Sequence, residues 1–316
     1  LLKSEEAASE VCLVTIINNP NDPRFDEPKR QEIDDLINRR AFKLVSKSEV
    51  PKGANVLKGR FVLAIKDIDT PRQRFKARFV VQGHKDPEKD AIVKEAPTIL
   101  RHSIRLLIAL AITFNLEVWT RDVSQAYIQS ASDLLRDVYI ETPKGLGFPE
   151  DCMIKIVKLH YGLTEAGSYW WQTYLGYHLD DLKMKQSIID PCLFYKRLND
   201  ELVGMEASLV DDTLSAGNRT FANLEEQQSK KFDVKPKDES KSLQFSGCII
   251  NNNGDHMEMT QSDYTQKMTK IPKKEWTPEK FSSIRGKIGW IATFTRPDVA
   301  YMNAALSQRK SESLER

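Results

Sequence analysis

The segment Gly204 to Asn218, GMEASLVDDTLSAGN, constrains this chain most: an apolar run enters, two adjacent carboxylates interrupt it, and a second β-prone run leaves. Such runs flanking a short polar break predict a β-hairpin, with Asp211 and Asp212 at its tip. Two-residue hairpin turns favour glycine and asparagine, which accept positive φ. A turn built on two aspartates therefore combines backbone strain with like-charge repulsion. A divalent cation relieves both. Magnesium suits such a place, because it takes oxygen ligands, keeps several waters, and is held by one or two carboxylates plus a substrate phosphate. The alternative is a solvated acidic turn, the usual fate of an Asp-Asp pair.

At 316 residues the chain exceeds one small core, so about two domains, or one with subdomains, are expected. Its 40% hydrophobic and 29% charged content is that of an ordinary soluble protein. The longest apolar run, Leu106 to Ile112, is far too short to span a bilayer. The opening LLKSEEAASE has no signal-peptide layout, so an intracellular protein is expected. Cys12, Cys152, Cys192 and Cys248 form no paired motif and read as reduced structural thiols, neither a zinc site nor a disulfide frame. The first residue is leucine, which suggests a piece of a longer polypeptide.

A formal net charge of +2 hides an uneven distribution. Between Pro51 and Lys85 nine Lys or Arg residues face two acids, Asp67 and Asp69. Within this stretch VLKGRFVLAIK and QRFKARFVVQG read as strands joined by a turn containing Thr70 and Pro71. Phe75, Ala77, Phe79 and Val81 alternate onto one face and leave Lys76 and Arg78 on the other. The result is a ribbon with an apolar back and a cationic front. It is either a surface for phosphates or a sheet with an ordinary solvated face.

The middle of the chain alternates helix and strand. Periodicity predicts a helix over Ser103 to Phe114, a strand over Glu117 to Val123 ending near Asp122, and a helix over Ser124 to Leu134. Strands are expected at Val138 to Glu141 and Met153 to Leu159, then an aromatic-rich helix from Ala166 to Leu182, then strands at Leu193 to Arg197 and Leu202 to Val210. This is an α+β layout with a mostly antiparallel sheet. Asp122 can meet the Asp-Asp hairpin if their strands are neighbours. Trp170, Trp171 and Tyr174 have near-helical spacing and read as core, with a base-stacking platform as the alternative. The five histidines, at 84, 102, 160, 178 and 256, lack metal-ligand spacing. NNNGDH, at 251–256, is a hairpin turn, followed by helices over Gln261 to Lys270, Pro278 to Thr293 and Pro297 to Gln308.

Eight segments, RFKARFVVQGHKD, SIRLLIALA, TRDVSQAYIQ, VYIETPKG, LHYGLTEAGSYWW, DPCLF, LVDDTLSAGN and TRPDVAYMNAALSQ, resemble in order and spacing the reverse transcriptase of copia-type LTR retrotransposons. The likeness runs from about Asp22 to Gln308, and Pro28 to Val45 resembles the helix that leads into that polymerase. It implies a right-hand polymerase with fingers, palm and thumb: a lead-in over 1–45, fingers and palm over 46–255, and a thumb and start of a connection over 256–316, short of ribonuclease H. Asp122, Asp211 and Asp212 take the positions of carboxylates that hold two magnesium ions, or manganese. Lys66, Lys76 and Arg78 resemble residues that grip the triphosphate. Tyr127 falls where an aromatic blocks a ribose 2′-hydroxyl, unless it is a core residue. Gly247 resembles a glycine near the primer, with a strand bulge as the alternative.

Two positions depart from the family pattern. Leu209 stands where an aromatic usually meets the primer terminus, and Glu165 where many relatives place a glutamine near the nucleotide. A carboxylate there repels a triphosphate unless it is protonated, paired or turned away. The implied partners are an RNA template, a DNA primer, deoxynucleoside triphosphates, and the integrase and ribonuclease H regions of one polyprotein, in a cytoplasmic particle or the nucleus, with no membrane. A catalytically silent nucleic-acid-binding relic and a fragment that no longer folds stably are the alternatives.

Overall fold

Alternating apolar and basic residues make the first third of the chain a ribbon. The computed structural model, which describes residues 14–66, 71 and 73–308, places β1 (Val14–Ile17), α1 (Asp26–Asn38), β2 (Phe42–Ser46) and β3 (Asn55–Leu57) ahead of the ribbon strands β4 (Gly59–Lys66) and β5 (Arg74–Val81). β4 and β5 pair antiparallel from Gly59 opposite Val81 to Lys66 opposite Arg74, and β1 lines the other edge of β4. Ala77, Phe79 and Val81 are buried while Lys76 is exposed on the other face. Thr70, Asp67, Asp69, Arg72 and Cys12 lie outside the described residues.

The lead-in helix expected over 28–45 ends at Asn38. Arg40 turns left-handed at φ 56°, its N–H bonds to the Ile37 carbonyl, and the Ala41 N–H bonds to the Leu36 carbonyl. This is a Schellman cap, and it sends the chain into β2 while Ile33 and Leu36 stay buried.

Further along come α2 (Arg101–Thr113), β6 (Glu117–Asp122), β7 (Val138–Glu141), β8 (Cys152–Ile156), α3 (Ala166–Gly176), β9 (Lys185–Gln186), β10 (Leu193–Leu198), β11 (Glu201–Leu209) and β12 (Asp212–Gly217). The order β6-β12-β11-β10-β9 makes a five-stranded sheet, antiparallel throughout. A four-stranded sheet, β2-β8-β7-β3, contains a parallel pair, β3 with β7. The helix expected over Ser124 to Leu134 is only a 3₁₀ turn, Ala126–Gln129, entered through left-handed Gln125. Gln129 donates to the Ser124 carbonyl and the Ser130 hydroxyl to the Tyr127 carbonyl. Such local side-chain bonds compete with helix.

Both faces of the five-stranded sheet are covered. α2 packs Ile104, Leu107 and Ala111 against Val118, Leu214 and Ala216. On the opposite face lie α3, its π-helical continuation Tyr177–Asp181, and α4 (Arg219–Glu225). Trp170 and Tyr174 are buried there with Trp119, Phe194 and Phe221, so the aromatic run is core. The Phe221 ring lies over the cross-strand pair Gly204 and Gly217, where an added Cβ would stand 2.1 Å and 2.4 Å from it.

After α5 (Gln228–Lys231), strands β13 (Ser242–Phe245), β14 (Cys248–Asn252) and β15 (Met257–Thr260) form a three-stranded sheet. α6 (Ser262–Gln266), α7 (Pro278–Phe294) and α8 (Ala300–Ser307) follow. α6 is shorter than the expected 261–270, and Pro297 opens a 3₁₀ turn that runs into α8. β2 spans the expected boundary at 45 and the β14–β15 hairpin the one at 255, so sheet hydrogen bonding ties the segments together. Among the described residues no helix is long and apolar enough to cross a membrane.

Candidate active site

Antiparallel register brings the acids together. β12 pairs with β6 so that Asp212 stands directly opposite Asp122, which satisfies the neighbour condition left open by the sequence. The turn itself differs from the expected Asp211-Asp212 tip. Leu209 pairs with Asp212, so the two turn residues are Val210 and Asp211, and the backbone strain falls on Val210, at φ 58°. A β-branched residue rarely adopts this conformation. It is held there by the Trp170 indole N–H, which donates to the Val210 carbonyl at 2.7 Å. The Val123 N–H bonds to the Asp211 carbonyl at 2.7 Å and fastens the turn to the end of β6.

These carboxylates are poorly neutralised. Partial burial and then the charges of Asp211 and Asp122 push Asp212 up to about 6, although much of its surface is open. Burial and the Asp122 charge also raise Asp211, opposed by Arg78 and Lys235. Among the described residues no side chain donates a hydrogen bond to Asp211 or Asp212, whereas the Lys235 ammonium lies 2.7 Å from Asp122. No group of three His, Cys, Asp or Glu side chains among the described residues is drawn up as a metal cage. The donors are nonetheless all carboxylate oxygens, mutually repelling and at one sheet end, with an ammonium already at one of them. That set suits hard divalent cations.

The ribbon's cationic front acts on the same place. The Arg78 guanidinium lies over the Tyr161 ring, 4.3 Å from its centroid, and its charge acts on Asp211. Tyr161 in turn meets Tyr127 at 4.8 Å between ring centroids. Both phenols are raised, Tyr161 to about 12, by burial and by charges that include Asp211. Tyr127 is thus half-buried beside the carboxylates, on the 3₁₀ turn. Lys76 keeps an exposed surface, yet partial desolvation and then the Arg78 and Lys66 charges hold its ammonium below its usual range. Arg78 and Lys66 are therefore each close enough to act on Lys76.

Leu209 and Gly247 share a groove with Asp212, Arg101, Trp290 and Phe294. Gly247 is no bulge. Ser246 and Gly247, at φ 51° and 73°, form the two-residue turn between β13 and β14. The Trp290 ring would lie 3.0 Å from a Cβ at Gly247. Glu165 is buried and paired: Arg136 donates to its two oxygens at 2.6 Å and 3.1 Å, and also to Asp86 and Glu88. Of the three ways to relieve a carboxylate at this position, pairing is the one present, with a single guanidinium shared among Glu165, Asp86 and Glu88. Lys235 and Arg136 carry no signal of their own in the sequence, because each lies in an irregular segment with no periodicity to mark it.

Comparison with known proteins agrees with this geometry. The family described as reverse transcriptase (RNA-dependent DNA polymerase) matches residues 39–279. The retrovirus-related Pol polyprotein from transposon TNT 1-94 of Nicotiana tabacum is 30% identical over 231 residues, covering 71% of this chain and 17% of that polyprotein. The transposon Ty1-LR3 Gag-Pol polyprotein of Saccharomyces cerevisiae is 25% identical over 223 residues, covering 66% of this chain and 12% of that protein. The chain thus spans less than a fifth of the length of these curated relatives. In fold it is similar to a foamy viral protease-reverse transcriptase solved in complex with double-stranded DNA, at a TM-score of 0.51 and 14% identity, over 94% of this chain and 47% of that one. A right-hand polymerase fold, carboxylates paired across β6 and β12, and a family match over most of the chain agree: this protein belongs to the reverse transcriptase (RNA-dependent DNA polymerase) family, in its copia-type retrotransposon group.

Proposed function

We propose that the chain is the polymerase unit of a copia-type element and extends a DNA primer on an RNA or DNA template from deoxynucleoside triphosphates. Two divalent ions, magnesium or manganese, would be held by Asp122, Asp211 and Asp212. The observation that carries this reading is the cross-strand pairing of Asp122 with Asp212, beside Asp211 and within reach of the Arg78 charge. When bound, such ions acidify the primer 3′-hydroxyl and neutralise charge on the triphosphate.

The chain's own residues contribute position and charge, which dominate phosphoryl transfer. Lys66, Lys76 and Arg78 bind the triphosphate, the guanidinium by its fork and the ammonium groups as point charges. Tyr127 excludes a 2′-hydroxyl. Leu209 and Gly247 line the primer side of the groove, and Glu165, held by Arg136, borders the nucleotide with its two oxygens turned to that guanidinium. Fingers and palm lie mainly within 46–255 and the thumb within 256–316, after a lead-in over 1–45. Integrase and ribonuclease H are partners from the same polyprotein, within a cytoplasmic particle or the nucleus.

Primer extension on an RNA template tests the reading. The wild-type chain incorporates deoxynucleotides with magnesium or manganese, and Asp211→Asn reduces incorporation by roughly a hundredfold or more, the scale of removing a principal electrostatic group, while template affinity persists. Equal incorporation by both proteins contradicts the assignment of Asp211. If both fold and bind template but neither incorporates, the silent binding relic is the better description.

A further inference from the structure

We propose that Lys235 is the resident counter-cation of the carboxylate site, occupying Asp122 until a divalent ion displaces it; the inference rests on the reading of Asp122, Asp211 and Asp212 as metal ligands. Lys235 is joined to Asp122 twice. Its ammonium lies 2.7 Å from Asp122 Oδ1, and its backbone N–H donates to the Asp122 carbonyl at 2.9 Å. The segment around it runs as an irregular edge beside β6, bridged at Val123 to Val234 and at Thr120 to Asp238. Asp233 is fastened further by Arg39, at 3.1 Å, and by its own N–H donating to Gln129 Oε1 at 2.7 Å. The backbone of Lys235 is therefore fixed at the end of β6, while its side chain keeps 62% of its surface exposed.

This combination suits displacement. Three carboxylates gathered at one sheet end repel one another, and among the described residues Lys235 is the side chain ion-paired with any of them. Its charge also acts on Asp211 and Asp212 and opposes that of Lys76. An exposed single-point ion pair is weak, and a lysine stem swings out where a forked arginine would hold both oxygens. The anchored backbone lets the ammonium leave without moving β6. A divalent ion must then compete with one unit of positive charge already at Asp122.

Manganese titration of the full chain without nucleic acid, followed by the electron paramagnetic resonance of free Mn²⁺ at low salt, decides this independently of turnover. Lys235→Met, which keeps the length of the side chain, should bind Mn²⁺ about fivefold more tightly than wild type, as expected from removing one nearby unit charge. Lys235→Arg should bind no more tightly than wild type. Without metal, Lys235→Met should melt below wild type, and saturating Mn²⁺ should close the gap. Unchanged or weaker binding in Lys235→Met overturns the counter-cation role. Asp122→Asn separates the two levels. If it binds Mn²⁺ as wild type does, the metal-ligand reading fails and takes the inference with it. If it loses binding while Lys235→Met stays at the wild-type value, only the counter-cation is lost.

Discussion

The five-stranded sheet holds two acidic groups that solve opposite problems. On the face covered by α3 and α4, Glu206 and Glu225 are buried. Glu206 accepts from Tyr174 at 2.8 Å and contacts His178 Nε2 at 2.9 Å. Glu225 accepts from the Trp119 indole and the Ser215 hydroxyl, each at 2.6 Å. Burial alone would raise both. It prevails at Glu225, reinforced by the Glu206 charge, while His178 and Tyr174 bring Glu206 below its usual range. At the sheet's end, Asp211 and Asp212 receive no side-chain hydrogen bond among the described residues, and Asp122 has an exposed lysine. The interior acids are each met by hydrogen-bond donors, and the end group is left with unmet charge. A saturated polar network specifies a fold; an unsatisfied one leaves valence for a ligand.

The contrast breaks most visibly at His178. His178→Leu leaves Glu206 buried without its partner and should cost about 3–5 kcal/mol of stability, measured by denaturant unfolding, while the folded fraction keeps its nucleotide discrimination. A variant as stable as wild type would show that the interior network is not structural. Tyr127→Ala acts on the open side. It should shift the ratio of ribonucleotide to deoxynucleotide efficiency by roughly tenfold, and an unchanged ratio in an active enzyme returns Tyr127 to the core.

The ribbon sharpens the comparison further. Lys76→Ala with Arg78→Ala should raise the apparent nucleotide KM and leave the salt dependence of template binding nearly intact. If these residues contact template phosphates instead, the log–log salt slope becomes shallower by about 1–2. The smallest effect is a pH signature at Asp212. Its folded-state affinity for a proton is raised to about 6, above the unfolded value of about 3.9. The stability it contributes is full below the unfolded value and is lost as pH rises through the folded one. Asp212→Asn should therefore melt a few degrees above wild type at pH 8 and match it near pH 4. Calorimetry at both pH values checks this, and equal melting at pH 8 would show that the open carboxylate carries no strain.

Much of this molecule is legible in its sequence, because it is periodic. Alternation at Phe75, Ala77, Phe79 and Val81 specifies which face of β5 carries Lys76 and Arg78, and the helical spacing of Ile104, Leu107 and Ala111 specifies the buried side of α2. Both patterns are local, so the chain carries them in any fold. The order of motifs likewise identifies the family. Tertiary structure alone decided the rest. Whether Asp122 faces Asp212 depends on strand order, which links residues far apart in sequence and has no local signal. The turn residues Val210 and Asp211 follow from the register of β11 against β12, shifted by one from the Asp-Asp tip that composition suggests. The helix expected after Ser124 yields to side-chain bonds made by Gln129 and Ser130. Lys235 at Asp122 and Arg136 at Glu165 are likewise contacts between irregular segments. Periodicity reports which way a side chain points relative to its own element, whereas the charge that meets it is set by which distant segment packs alongside.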